Sequence, residues 1–299
     1  MIKNEFLLFD RIEKIKQINE EYNLEKNAYI SFSGGKDSTI LSKLIDLALP
    51  NNQIPRVFAN TGIEYNDIVR FVKELSLKDN RFIILNQTAN IKDTLEKYGY
   101  PFKSKEFSMR VYCFNQGLSS DFIKKYLSDE STKYKCPKKL CYIFKERGEY
   151  NYSHQCCYRL KKTLLNNWAR ENQKKITITG MRQEEGGNRK RLSCLTNNGK
   201  MFHPLVPIHE NWMDWFIEQH PIPLCKLYYP PFNFKRTGCK GCPFNLNIQK
   251  DLDTMKKLLP DEYKQCEILW KPVYDEYRRI GYRLRKKGTY YQMSIDDFL

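Results

Sequence analysis

The chain has 299 residues, 41% of them hydrophobic and 14% aromatic, and its 51 Lys and Arg outnumber its 35 Asp and Glu to leave a formal charge of +16. Such a chain can build a sizeable core as one large domain or two small ones, and its mixed charges exclude general disorder. No apolar run approaches the roughly 18 residues of a membrane span, and the opening MIKNEFLLFDRIEKIKQ, with acids scattered through it, does not read as a signal peptide. A cytoplasmic protein with no membrane partner is expected, whose ten cysteines are thiols or metal ligands rather than disulfides. The positive charge implies anionic company without naming the anion.

In chain order, Phe6, Leu7, Phe9, Ile12, Ile15 and Ile18 recur at helical spacing, so Glu5 to Tyr22 is an opening helix. Ala28 to Phe32 is a short strand that meets SGGKDS, after which Ile40, Leu41, Leu44, Ile45 and Leu47 resume a helix. The pattern repeats with a strand at Arg56 to Ala59, a turn at Asn60-Thr61-Gly62, a helix at Asn66 to Leu77, a strand at Arg81 to Leu85 and a helix at Ile91 to Tyr98. Between Gly99 and Gln155 the periodicity fades, with one helix around Asp121 to Leu127. It returns with a helix at Arg159 to Glu171, a strand at Lys175 to Thr179 and a helix at Trp212 to Gln219; from Asp261 the chain is helical and basic.

Alternating strands and helices predict an α/β fold, a mostly parallel five- or six-stranded sheet with helices on both faces. The expected organisation is an α/β domain over residues 1–220, with 99–155 inserted over the carboxyl edge of the sheet where α/β proteins keep ligands, followed by a cysteine loop and basic helical tail over 221–299.

Ser33-Gly34-Gly35-Lys36-Asp37-Ser38 stands where a strand gives way to a helix, whose first N–H groups are unpaired and whose dipole favours an anion. Gly34 and Gly35 let backbone approach a phosphate; Ser33 and Ser38 add hydroxyls and Lys36 a charge. No glycine stands far enough ahead of Gly35-Lys36 for a Walker loop. The bland alternative is a glycine turn capped by Asp37 or Ser38.

SGGKDS resembles the PP-loop of the ATP pyrophosphatase superfamily, whose adenine nucleotide alpha hydrolase-like members hold ATP or a sulfonucleotide by its phosphates. FANTGIEYNDIVRFVKEL is similar to a second signature of the phosphoadenylyl-sulfate (PAPS) reductase branch, which adds Asn60, Thr61 and Gly62 to the nucleotide site. In TGMRQEEGGNRKR, Arg182 and Arg189 match the arginines that grip the ligand's anionic groups, and RTGCKGCPF carries Arg236 just ahead of its cysteines. The resemblance covers roughly Ala28 to Phe244, less the insertion.

Cys156 and Cys157 are adjacent, and Cys239 and Cys242 form a CxxC about eighty residues later. Two close pairs of thiolates can surround one metal centre, zinc or iron–sulfur. Vicinal cysteines span a mononuclear site poorly but reach two irons of a cubane, which favours a 4Fe-4S cluster, and the spacing is similar to that of the adenylyl-sulfate reductases. Cys113, Cys136 and Cys141 are ordinary thiols or a second metal site; Cys194, Cys225 and Cys266 read as packing residues. His154 stands close enough to the vicinal pair to support it.

The resemblance fails at the carboxyl terminus. A sulfonucleotide reductase attacks with a cysteine in a short Glu-Cys-Gly tail motif, whereas the last cysteine here is Cys266. The superfamily's other chemistry needs no such thiol: with Mg2+ placed by Asp37 and charge offset by Lys36, a substrate oxygen attacks the α-phosphorus of ATP and pyrophosphate leaves. Iron–sulfur relatives of this kind thiolate nucleic acids. A nucleic acid substrate is expected on charge, with Arg278, Arg279, Arg283, Arg285, Lys286 and Lys287 tracking phosphates and Tyr274, Tyr277, Tyr282, Tyr290 and Tyr291 stacking bases. A sulfur-donor or electron-donor protein would complete the set of partners. Three functions stand: an ATP pyrophosphatase that adenylylates a substrate for sulfur transfer, a sulfonucleotide reductase with its thiol supplied elsewhere, and a non-catalytic nucleotide- or nucleic-acid-binding subunit.

Overall fold

The computed structural model describes residues 3–118, 120–128 and 135–286. They form two compact units, Met1–Thr88 with Leu160–Cys239, and Ala89–Arg159 with Lys240–Leu299.

The first unit is built on one sheet of six strands, β1 (Ala28–Phe32), β2 (Arg56–Asn60), β3 (Phe82–Asn86), β4 (Ile176–Ile178), β5 (Leu195–Thr196) and β6 (Met201–Phe202), in the order β3-β2-β1-β4-β6-β5. Every pairing is parallel except the β5–β6 hairpin, with Ile30 opposite Arg56, Ala28 opposite Ile176 and Thr177 opposite Met201. The expected α/β architecture is therefore the observed one, in its six-stranded form. The hairpin escapes a periodicity reading because two residues per strand show no alternation.

Strand pleating sends neighbouring residues to opposite faces. Ala28 and Ile30 of β1 pack with Ile40, Leu41, Leu44 and Ile45 of the helix Lys36–Ala48, with Ile15 and Ile18 of the helix Lys3–Tyr22 and with Trp212, Met213 and Phe216 of the helix Glu210–Gln219. Tyr29 of β1, with Val57 and Ala59 of β2, packs instead on Leu165 and Ala169 of the helix Thr163–Glu171. Both faces of the sheet are thus covered, as parallel strands require. The chain winds outward through β2 and β3 on one side of β1 and returns as β4 on the other. The β1/β4 junction is a topological switch point, where open α/β sheets leave a crevice beyond their strand ends.

The second unit is helical, with Ile91–Tyr98, Lys105–Asn115 and Ser120–Leu127 from its first segment and Ile248–Leu258, Pro260–Leu269 and Lys271–Ile280 from its second. Its core is aromatic: Phe102 stacks on Tyr152 at 4.3 Å and meets Tyr277 at 4.8 Å. Gly241 lies in the left-handed region (φ +61°), where a Cβ would come 2.7 Å from Cys266 Sγ. Tyr274 donates to the Gly241 carbonyl, and Trp270 Nε1 donates to that of Lys240 at 3.0 Å. Packing against these side chains holds the turn that carries Cys242. Among the described residues no helix is long and apolar enough to cross a membrane.

Candidate nucleotide-phosphate site

The segment after β1 turns sharply into its helix, and the turn depends on Gly34. Its φ is +70°, and a Cβ there would stand 2.9 Å from Cγ2 of both Ile68 and Val72 on the helix Asn66–Lys78. Gly35 caps the helix Lys36–Ala48 without a side chain of its own, so its first donors find partners elsewhere. The Gly35 N–H donates to Ser33 Oγ at 3.3 Å, the Ser33 N–H to Ser38 Oγ at 3.2 Å, and Ser38 Oγ to the Gly35 carbonyl at 2.9 Å.

The Lys36 N–H donates at 2.9 Å to the hydroxyl of Tyr228, 192 residues away, which pairs with Thr237 Oγ1 at 2.6 Å. Burial pushes the Tyr228 phenol up, so it stays neutral. A phosphate oxygen would use the same acceptor position at the same helix start. Nothing in local sequence pointed to Tyr228, although Thr237 lies within RTGCKGCPF.

The loop beyond β4 meets this corner at Gly180, where a Cβ would come 3.1 Å from the Asp37 carbonyl oxygen. Two residues on, Arg182 is 7% exposed in its side chain and binds three carboxylates: Nε to Asp37 Oδ1 at 2.8 Å, Nη1 to Glu184 at 2.7 Å and Nη2 to Glu210 at 2.7 Å. Burial raises the Asp37 pKa against the pull of Arg182. Although burial alone would lower it, Arg182 is held above its ordinary value by Asp37 and Glu210. Lys36 Nζ pairs with Glu210 and, at 3.3 Å, with Asp214; despite its partial burial, Glu210 is held below the usual carboxylate range by Lys36 and Arg182. Arg189 and Arg236 both pair with Glu185. The cations expected to meet an anion thus already share carboxylates from the β4 loop and the helix Glu210–Gln219.

At the end of β2, the Asn60 side chain donates to Asn86 Oδ1 at 2.9 Å, and the Gly62 N–H donates to Asn60 Oδ1 at 3.3 Å. The Thr61 N–H and hydroxyl both donate to Glu64, at 2.8 and 2.9 Å. Glu64 is 3% exposed in its side chain, pairs with Lys161 at 3.0 Å and bridges Cys239 through antiparallel backbone. Asn60, Gly62, Glu64, Asn66, Val69, Arg70 and Lys73 line a cavity of about 430 Å³.

Of the four expected cluster ligands, Cys239 belongs to the first unit and Cys156, Cys157 and Cys242 to the second. Cys156 is buried and the other three are half-buried. Among the described residues no three His, Cys, Asp or Glu side chains are gathered to hold a metal ion. Their donor chemistry nevertheless suits iron–sulfur ligation, and Asp37, 34% exposed in its side chain, suits the one-carboxylate ligation that Mg2+ accepts beside phosphates.

The carboxyl-terminal reading needs correction. Tyr274 and Tyr277, expected to stack bases, are 0% exposed and belong to the core of the second unit. Arg278 pairs with Glu267, Arg279 with Glu276 and Arg285 with Asp253, while Arg283 donates to the Pro243 carbonyl at 2.8 Å. Helical periodicity points Tyr274 and Tyr277 inward while Tyr282 is half-buried, and ion pairs engage Arg278, Arg279 and Arg285. Lys287, Tyr290 and Tyr291 lie outside the described residues.

A doubly covered, mostly parallel sheet with a glycine corner at its switch point is an architecture that can receive an anion at a helix start. Residues 27–119 and 124–245 match the family model for the phosphoadenosine phosphosulfate reductase domain, and the chain belongs to that family. An uncharacterized protein of Methanocaldococcus jannaschii is 25% identical over 286 residues, 89% of this chain and 56% of the relative. The chain therefore spans about half the length of the curated relative it matches.

Similar solved structures include a Candida auris phosphoadenylyl-sulfate reductase in a phosphate complex, 13% identical at a TM-score of 0.43, covering 76% of this chain and 88% of that one. The NH3-dependent NAD synthetase of Campylobacter jejuni is 13% identical at 0.42, covering 98% and 100%. A Methanococcus maripaludis U34-tRNA thiolase with its [4Fe-4S] cluster is 16% identical at 0.35, covering 90% and 79%. At these scores the likenesses carry nothing about activity.

Proposed function

We propose that this chain is a cytoplasmic ATP pyrophosphatase of the PAPS reductase family that adenylylates a substrate for sulfur transfer. The observation that carries the reading is the Lys36 N–H at the glycine corner, which faces an oxygen acceptor, the Tyr228 hydroxyl, at 2.9 Å where a phosphate oxygen would sit. Ser33, Gly34, Gly35, Lys36 and Ser38 would hold the ATP phosphates, with Asn60, Thr61 and Gly62 beside the nucleotide. Lys36, released from Glu210 and Asp214, would offset charge on the leaving group. A substrate oxygen attacks the α-phosphorus, the bond to the bridging oxygen breaks, pyrophosphate takes the electron pair, and the substrate's proton passes to solvent. Asp37 would place Mg2+, while Arg182 and Arg189 would meet the anion's far end by exchanging carboxylates for it.

Cys156, Cys157, Cys239 and Cys242 would hold a 4Fe-4S cluster, which when bound supplies a sulfur relay or a structural anchor. A nucleic acid acceptor rests on the +16 charge, and a sulfur-donor or electron-donor protein would serve the cluster.

One observation weighs against a sulfonucleotide reductase. Cys266 is 1% exposed and burial pushes its thiol up to about 12, a poor state for a nucleophile, so a reductase would need its thiol from elsewhere. Anaerobically purified protein, assayed for iron and sulfide and then offered ATP or a sulfonucleotide, tests the proposal. Pyrophosphate release from ATP is expected; sulfite release from a sulfonucleotide would make it a reductase, and binding without turnover a non-catalytic subunit.

A further inference from the structure

The second unit contains a thiol cluster that the proposed reaction does not use. Cys136 is buried, 2% exposed, while Cys141, five residues on in the 3-10 helix Lys138–Phe144, is half-buried. Both sulfurs approach one carbonyl oxygen, that of Pro137, at 3.7 Å from Cys136 and 3.5 Å from Cys141, and Cys141 Sγ also lies 3.8 Å from the Cys136 carbonyl oxygen.

The surroundings are cationic and polar. The Cys136 N–H donates to the Tyr126 carbonyl at 2.9 Å. The Arg110 guanidinium lies 4.1 Å from the centre of the Tyr126 ring and pairs through Nη2 with Glu106 at 2.6 Å; its side chain is 7% exposed, and its Nε alone is buried without a hydrogen-bond partner among the described residues. Lys103 places positive charge beside Cys136 from a left-handed backbone (φ +58°), which its N–H secures by donating to Tyr277 Oη at 2.6 Å. A lysine in that conformation is uncommon.

A purely structural pair of thiols needs neither a strained lysine nor an orphaned arginine donor. Two sulfurs gathered at one carbonyl oxygen, one accessible and one shielded, are placed for thiol–disulfide exchange, because closure requires one sulfur to swing past that oxygen to bonding distance. Burial pushes Cys136 up to about 12, and Lys103 and Tyr126 pull it back. Entry therefore falls to Cys141 and closure to Cys136.

We propose that Cys136 and Cys141 form a redox-active dithiol that reduces a small-molecule or protein disulfide. The Cys141 thiolate attacks one sulfur of the disulfide, forming a mixed disulfide and expelling the first thiolate, which takes up the proton that Cys141 lost. Cys136, deprotonated within the field of Lys103, attacks Cys141 Sγ and expels the second thiolate, which takes up the Cys136 proton. The protein pair is oxidised by two electrons and two external thiols are produced. This activity is independent of the phosphate loop, so its failure would leave the proposed ATP chemistry untouched.

The test uses the full chain, anaerobic, equilibrated with reduced and oxidised glutathione at graded ratios, acid-quenched, alkylated in denaturant, digested and weighed. The peptide bearing Cys136 and Cys141 is expected to be unalkylated and lighter by two hydrogens at ratios where Cys194 and Cys225 are still alkylated. Cys136→Ser should trap glutathione on Cys141, Cys141→Ser should leave Cys136 unmodified, and Lys103→Gln should slow closure about tenfold at an unchanged melting temperature. A pair alkylated at every ratio, a wild-type protein that stops at glutathionylated Cys141, or bonding of either cysteine to Cys113 would overturn the proposal. The wild-type titration decides even if a variant fails to fold.

Discussion

Arg182 Nε donates to Asp37 Oδ1 at 2.8 Å across 145 residues of sequence, tying the loop beyond β4 to the first turn of the helix after β1. The same guanidinium also holds Glu184 and Glu210, so its loss would leave three carboxylates around one vacated charge. Arg182→Met should lower stability by about 2 kcal/mol, below the cost of breaking a fully buried pair because the three carboxylates are partly exposed. Urea unfolding measures this, and an unchanged midpoint would show that the network carries no stability.

Gly34 has no tolerable replacement bearing a Cβ. Gly34→Ala combines a left-handed backbone with contacts of 2.9 Å to Ile68 and Val72, so a loss of about 3 kcal/mol is expected. Nucleotide binding should weaken at least tenfold even at temperatures where the variant is folded. Calorimetric titration with ATP reads the second effect separately from the first.

The Tyr228 hydroxyl occupies the Lys36 N–H that a phosphate would take. Tyr228→Phe removes a competitor worth about 1 kcal/mol, so ATP should bind severalfold more tightly while the unliganded protein melts slightly lower. Weaker binding would mean that the phenol holds the ligand rather than its place.

His203 lies behind the site, 0% exposed, with Nδ1 2.7 Å from Thr179 Oγ1 and Nε2 3.1 Å from Thr196 Oγ1. Burial, aided by Arg189, lowers its pKa to about 4 from the ordinary 6.5. Between those values the unfolded chain binds a proton that the folded chain does not, so stability falls as pH falls through that window. About 2 kcal/mol should disappear between pH 7 and pH 5 on this account. His203→Gln should flatten that part of the profile in urea titrations at the two pH values.

Some of the architecture was legible residue by residue. The helix Ile91–Tyr98 has its expected bounds, and β1 and the helix beginning at Lys36 flank SGGKDS as read, because a buried strand and an amphipathic helix each leave a periodic signature. The helix Lys105–Asn115 leaves no clear periodic signature because its serine, arginine and aromatic residues blur one apolar face. In Lys271–Ile280, tyrosines between cations looked like a stacking surface; helical geometry instead turns Tyr274 and Tyr277 into the core.

The order of residues alone determined the glycine corner, the two cysteine pairs and the α/β alternation, since each is set by backbone freedom or short-range spacing. Only the folded chain decided that Tyr228 would face the Lys36 N–H and that Arg182 would bind Asp37, Glu184 and Glu210 together. Those contacts join segments far apart along the chain, and no local rule of spacing selects a partner brought close by sheet order and helix packing.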